Sequence, residues 1–244
     1  MHASEFEFRH RSLFIILIFV LAFGCYTFQR VNAVEWLLFG LLGISGPFRG
    51  VFPGSWAAHL VFALGAALVG VAAFIRTWGT AYLNTEVMRD SVVRSERLVA
   101  DGPYRYVRNP LYLGSLMMAA GIGLMASPVG WLVLIAGLGI FFLRLIGREE
   151  FGLLNSQSDL YRAYREQVPR LWPVFRPRVP AGGNQARWGQ AAAGEIMMWA
   201  LFAGSLTFSC TLDVKVFDLL VAGGFILSRV IPRWMKRRSE PIRA

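Results

Sequence analysis

The chain has 244 residues, of which 55% are hydrophobic and 16% charged, and its mean hydropathy is +0.48. That length holds one domain, and the composition is too apolar for an ordinary soluble fold, so much of the apolar surface must face lipid. Lys and Arg outnumber Asp and Glu by 25 to 15, a net charge of +10; the cations gather between apolar runs and form no stripe with interleaved aromatics, which speaks for a chain lying beside anionic lipid and against a nucleic-acid partner.

A span of a hydrocarbon core of ~30 Å takes roughly 20 helical residues. The first candidate, Ser12 to Phe28, follows Arg9, His10 and Arg11. It resembles the core of a signal peptide, and Gly24-Cys25 faintly resembles a lipoprotein cleavage site; Ala22 and Phe23 fit that site poorly, so a retained first helix is expected. Val34 to Phe48 is apolar but short and ends in Gly46-Pro47, a thin span or a re-entrant segment. Trp56 to Ile75 is the next full run. Leu111 to Ser127 and Val129 to Ile146 are joined by Ser127-Pro128 alone. Proline cannot continue the preceding helix and suits the first turn of the next, so these two runs form a helical hairpin with both polar ends on one face. Pro177 to Gln190, rich in Pro, Gly and Arg, is a linker, and Ala191 to Cys210 with Val214 to Ile231 form a second hairpin. The expected fold is an all-α integral membrane protein of six to seven transmembrane helices, a single domain over 1–244 divided into N-terminal spans (1–76), a cofactor-binding region around a hairpin at 110–147 (77–176), and a linker, final hairpin and basic tail (177–244).

Arginines set the orientation. Arg76, Arg89, Arg94, Arg97, Arg105 and Arg108 precede the first hairpin, Arg148, Arg162, Arg165, Arg170, Arg176, Arg178 and Arg187 follow it, and Arg233, Lys236, Arg237, Arg238 and Arg243 end the chain. The positive-inside rule makes all three groups cytoplasmic. The N-terminus stays open: seven full spans put Arg9 and Arg11 outside, whereas a re-entrant Val34 to Phe48 puts them inside. The small-residue patterns Gly65-Ala66-Ala67, Ala119-Ala120-Gly121 and Ala222-Gly223-Gly224 let helices approach closely. Cys25 and Cys210 lie in apolar runs and supply neither a disulfide framework nor a metal site; His59 is alone at the start of its span, and Glu195 is structural. No metal is expected.

Polar residues converge where the first hairpin closes. The chain runs LVADGPYRYVRNPLYLG from Leu98, then the hairpin, then Arg148-Glu149-Glu150, then YRAYREQVPRLWP to Pro173. Arg108, Asn109, Pro110, Leu111, Tyr112 and then Glu149-Glu150 resemble the hallmark of the isoprenylcysteine carboxyl methyltransferase and phospholipid methyltransferase superfamily: Arg-His-Pro-x-Tyr, an apolar hairpin, then Glu-Glu. Tyr161-x-x-Tyr164 and Val168-Pro169-Arg170 extend the likeness, which covers Leu98 to Trp172. The departure is Asn109 where the family usually has histidine; asparagine hydrogen-bonds but does not titrate.

The resemblance implies a membrane-embedded enzyme holding S-adenosylmethionine on the cytoplasmic face and taking a lipid-like or isoprenoid acceptor from the bilayer. Its implied cofactor contacts are Leu98, Val99, Gly102, Tyr104, Arg108, Asn109, Tyr112, Glu149, Glu150, Tyr161 and Tyr164, and its implied catalytic residues Arg108, Glu150 and Arg170. Arg108 beside a helix N-terminus suits the cofactor carboxylate, the glutamates and Asn109 its ammonium and ribose, and Leu98, Val99 and Tyr104 its adenine. Arg170 or Arg144 suits an acceptor carboxylate, Glu150 an acceptor amine. The tyrosines equally suit an aromatic belt at the interface, and arginines at helix ends are by default topological anchors. Phospholipid N-methylation, an NADPH-dependent sterol-type reductase and a non-enzymatic membrane protein are the alternatives.

Overall fold

The computed structural model describes residues 2–42, 56–83, 100–156 and 158–239, and among them every regular element is helical. In chain order the α-helices are α1 (Glu5–Arg9), α2 (Arg11–Gly24), α3 (Tyr26–Gln29), α4 (Ala33–Leu42), α5 (Trp56–Tyr82), α6 (Pro110–Ile122), α7 (Pro128–Ser156), α8 (Ser158–Gln167), α9 (Trp188–Gly194), α10 (Ile196–Thr211) and α11 (Val214–Ser239), with short 3-10 turns at Gly102–Arg105 and Gly123–Met125.

The hairpin forms as the prolines dictate. Asn109 occupies the N-cap of α6 with Pro110 at its first position, and Pro128 opens α7 after an extended Ala126. At the bend the indole of Trp131 donates to the Ala120 carbonyl (3.1 Å) and Ser127 Oγ accepts the Gly130 amide (3.1 Å), so backbone groups that water cannot reach find partners inside the chain. The small residues bring helices into backbone contact: a Cβ on Gly121 would lie 2.5 Å from the Gly65 carbonyl oxygen, and one on Gly224 only 2.0 Å from Ala200 Cβ. Side chains at either place would push α5 from α6 or α10 from α11.

The N-terminus is settled by its contacts. Ser4 and Glu7 form a reciprocal cap on α1, and Glu7 also receives the Arg144 guanidinium (2.7 and 3.0 Å). The Ala3 amide donates to the Arg144 carbonyl (3.0 Å) and Arg148 Nη1 to the Ala3 carbonyl (3.2 Å). Arg9 and Arg11 therefore lie at the end of α7 that carries Glu149 and Glu150, called the site face below. Helix α2 leads to the opposite face, where the Ala33 amide meets the Ala126 carbonyl (2.8 Å) and Val34 and Leu38 pack on Ala57, Ala58 and Phe62 at the start of α5. Helices α4 and α5 both begin at that face; residues 43–55, and with them the end of the Val34 to Phe48 run, lie outside the described residues.

Among the described residues three helices, Arg11–Gln29 taken across its small break, Trp56–Tyr82 and Pro128–Ser156, are long and apolar enough to cross a membrane, and α9 with α10 makes a fourth if that pair, bent by 63° at Glu195, is one span. The expected six to seven are not reached on this count for two physical reasons. Helix α6 has 13 residues, and α11 carries Lys215, Asp218 and Arg229 within its apolar stretch.

Candidate functional site

Two strands of irregular chain build the site frame. The turn before α6 and the segment after α8 run alongside each other: the Arg108 amide donates to the Pro169 carbonyl (2.9 Å), the Val174 amide to Tyr106 (3.2 Å) and the Arg178 amide to Arg105 (2.9 Å), while Arg105 Nε reaches the Val179 carbonyl (2.9 Å). Asp101 locks the far end by accepting from the Gly182 amide (2.6 Å) and from the amide and side chain of Asn184 (2.9 and 2.8 Å). Burial alone would raise the Asp101 pKa, but these donors outweigh it and hold the carboxyl below its ordinary range. Gly102 has φ +55°, and a Cβ there would come within 2.3 Å of the Tyr82 ring, so this glycine serves the turn and its packing against α5.

Within that frame Glu150 sits between two guanidiniums. Arg108 reaches its Oε1 through Nε (3.1 Å) and Nη2 (3.0 Å), and Arg170 Nη2 reaches its Oε2 (2.6 Å). The remaining Arg108 nitrogen donates to the carbonyls of Arg165 and Val168. The Arg108 and Glu150 side chains are 8% and 6% exposed, that of Arg170 40%. Taking such charges from water costs several kcal/mol per ion, which only this degree of pairing offsets. Asn109 Nδ2 donates to the Arg170 carbonyl (3.1 Å), and one turn into α6 the Tyr112 hydroxyl donates to Glu149 Oε1 (2.8 Å). Residues 108, 109, 112, 149, 150 and 170 thus meet at one end of the hairpin.

The other expected contacts fall differently. Tyr161, Tyr164 and Val168 form a buried cluster against Ala100, Leu153, Leu154 and Val179, and the Tyr164 hydroxyl donates to the Tyr104 carbonyl (2.8 Å). Tyr104 is itself buried. Burial, with Glu150 nearby, pushes the Tyr161 phenol up to about 12, and burial also raises Tyr164. These three tyrosines bolt α8 to the frame and are not an interfacial belt. Leu98 and Val99 lie outside the described residues. Arg144 is committed to Glu7, away from the Glu150 cluster.

A second polar network has no motif to announce it. Arg76 pairs with Glu195 through Nε (2.8 Å) and Nη2 (3.0 Å), and its Nη1 reaches the Leu111 carbonyl (3.1 Å) and Ser115 Oγ (2.7 Å) on α6; Thr80 also donates to Glu195 (2.9 Å). Glu195 stands where α9 bends into α10, so the pair ties that bend to α5 and α6. A lone charge at each edge of an apolar run was the only available signal. His59 donates from Nδ1 to the Ser209 carbonyl (2.6 Å) on the opposite face. No group of three His, Cys, Asp or Glu side chains among the described residues is placed to hold a metal.

Residues 60–155, which include the hairpin and its polar ends, match the model of the phospholipid methyltransferase family, and the likeness read from Arg108 to Glu150 is borne out there. Among curated proteins the chain is 26% identical over 135 residues to the cobalt-zinc-cadmium resistance protein CzcN of Cupriavidus metallidurans, covering 55% of this chain and 57% of that one. It is 40% identical over 79 residues to the protein-S-isoprenylcysteine O-methyltransferase of Schizosaccharomyces pombe, covering 32% of this chain and 34% of the relative. The chain thus spans about half and about a third of the lengths of these two relatives. No solved structure matches.

Proposed function

We propose that the chain is a membrane-embedded methyltransferase that uses S-adenosylmethionine to methylate a lipophilic acceptor, with an isoprenylcysteine-type carboxylate as the leading acceptor and a phospholipid amine as the alternative. The observation that carries this reading is the meeting of Asn109, Tyr112, Glu149 and Glu150 where the hairpin closes, inside the residues that match the family, with Arg170 reaching Glu150 from beyond them. The site face is proposed as the cytoplasmic one, because Arg9, Arg11, Arg105, Arg108, Arg148 and Arg170 gather there.

The donor set fits the cofactor, with one reassignment. Arg108 spends its donors on Glu150 and two carbonyls, so it positions Glu150 and does not grip the cofactor carboxylate. Arg170 is the exposed guanidinium with donors to spare, and it takes that role. Glu149 offers Oε2 to the ammonium while Oε1 holds the Tyr112 hydroxyl, and Asn109 offers its side-chain oxygen to a ribose hydroxyl. When bound, the cofactor supplies a methyl group on a sulfonium, open to in-line displacement. The chain then has to align the acceptor and exclude water. A carboxylate acceptor needs no proton moved. An amine acceptor must lose one, and with both oxygens of Glu150 committed to guanidiniums, Glu149 is the carboxylate in place to receive it.

Calorimetric titration of detergent-purified protein with S-adenosylmethionine, with NADPH as the control ligand, tests this. Saturable binding of the methyl donor by wild type that Glu149→Ala and Arg170→Ala weaken supports the reading. Binding of NADPH alone, or of neither ligand, overturns it.

A further inference from the structure

On the site face, apart from the Glu150 cluster, α1, the start of α2 and the end of α7 enclose a cleft of about 510 Å³ lined by Glu5, Phe8, Arg9, Arg11, Ser12 and Arg148. Three guanidiniums line this cleft with the single carboxylate of Glu5, and Glu149 beyond its edge is near enough to feel the Arg11 charge. Arg11 lies 4.9 Å from the centre of the Phe8 ring and Arg148 5.4 Å from the same ring, so one aromatic ring holds both cations at the cleft. Among the described residues none of the three arginines forms an ion pair, in contrast to neighbouring Arg144, which Glu7 neutralises. Gathering like charges is unfavourable unless an anion offsets it, and guanidiniums suit phosphate oxygens through paired N–H donors.

The surface beneath the cleft names the source of that anion. Helix α2 continues from Arg11 into Leu13, Ile16, Leu17, Val20 and Leu21, all exposed on a helix long and apolar enough to cross a membrane. A lipid lying along that strip would place its headgroup at Arg9 and Arg11, one turn above. We propose that this cleft binds the phosphate of an anionic membrane phospholipid, with Arg9, Arg11 and Arg148 around the phosphate and the acyl chains along α2, beside the methyl-transfer site.

Titration of the detergent-purified full chain with short-chain phosphatidylglycerol tests this, with short-chain phosphatidylcholine and inorganic phosphate as the other arms. The expected result is saturable phosphatidylglycerol binding that the double variant Arg9→Gln, Arg11→Gln weakens roughly thirtyfold, since each basic residue at an anionic lipid surface contributes about 1 kcal/mol. The charge-matched variant Arg162→Gln, Arg176→Gln, altered at exposed sites outside the cleft, retains wild-type affinity. Neither Arg9 nor Arg11 makes a side-chain hydrogen bond among the described residues, so the double variant keeps a cooperative melting transition. Equal weakening by the charge-matched pair, or no saturable binding by wild type, overturns the proposal. Equally tight binding of inorganic phosphate overturns the lipid assignment and gives the cleft to a soluble phosphate, and equally tight phosphatidylcholine overturns the requirement for net negative charge.

Discussion

Two arginine–glutamate networks among the described residues, Arg108–Glu150–Arg170 and Arg76–Glu195, lie at the same end of the helices as the Arg144–Glu7 pair and are built for different ends. In the first, a nearly inaccessible pair is joined by a second, partly exposed arginine that retains unused donors. In the second, Arg76 spends four of its five N–H donors on Glu195, Leu111 and Ser115, and the network joins three helices. A buried ion pair is thus no sign of a site in itself. What distinguishes the candidate site is a charged group left partly unspent beside it.

The sharpest way to break the comparison is to remove one carboxylate from each network. Glu150→Ala leaves Arg108 buried without its counter-charge and should cost about 3–5 kcal/mol, seen as a large fall in melting temperature in detergent together with loss of methyl-donor binding. Glu195→Ala should cost less, on the order of 1–3 kcal/mol, because Arg76 is more accessible and keeps its Leu111 and Ser115 acceptors, and methyl-donor affinity should remain. If binding falls equally in both, the separation into ligand-facing and structural networks fails. Gly102→Ala tests the frame: the left-handed backbone and the Tyr82 ring make a side chain there cost on the order of 1–3 kcal/mol by thermal melting. Arg170→Ala should cost on the order of 1–3 kcal/mol, because buried Glu150 loses its Oε2 partner but keeps Arg108, while cofactor affinity falls about tenfold.

The smallest effect concerns pH. Chiefly through its hydrogen bonds from Arg144, the Glu7 carboxyl is held down at about 2, against an ordinary value of 4.5. A depressed carboxylate stabilises the folded chain above its unfolded pKa, and that contribution disappears as pH falls from about 4.5 towards 2. Asp101 acts in the same direction. The acid limb of the stability curve should therefore flatten in Glu7→Gln, which melting curves between those pH values would register.

Much of this was legible in the residues themselves. Apolar runs and Ser127-Pro128 foretold an all-helical membrane protein with a tight hairpin, since proline acts locally and hydropathy needs no partner to be read. The motif from Arg108 to Arg170 likewise named the residues that meet, because a hairpin of fixed helical rise returns its two ends to one face. Other features could not be read so. Arg76 and Glu195 are far apart in the chain, and only the packing of α5 against α6 and α10 brings them together. Whether Arg108 or Arg170 keeps donors free depended on where the carbonyls of Arg165 and Val168 fell. The side of the N-terminus was undecided by charge alone and was decided by Glu7 and Ala3 against Arg144 and Arg148. Local chemistry and periodicity thus determined which elements form and which residues carry charge, whereas the partner of each charge was a long-range matter, set by the tertiary packing that excludes water from some guanidiniums and leaves others exposed.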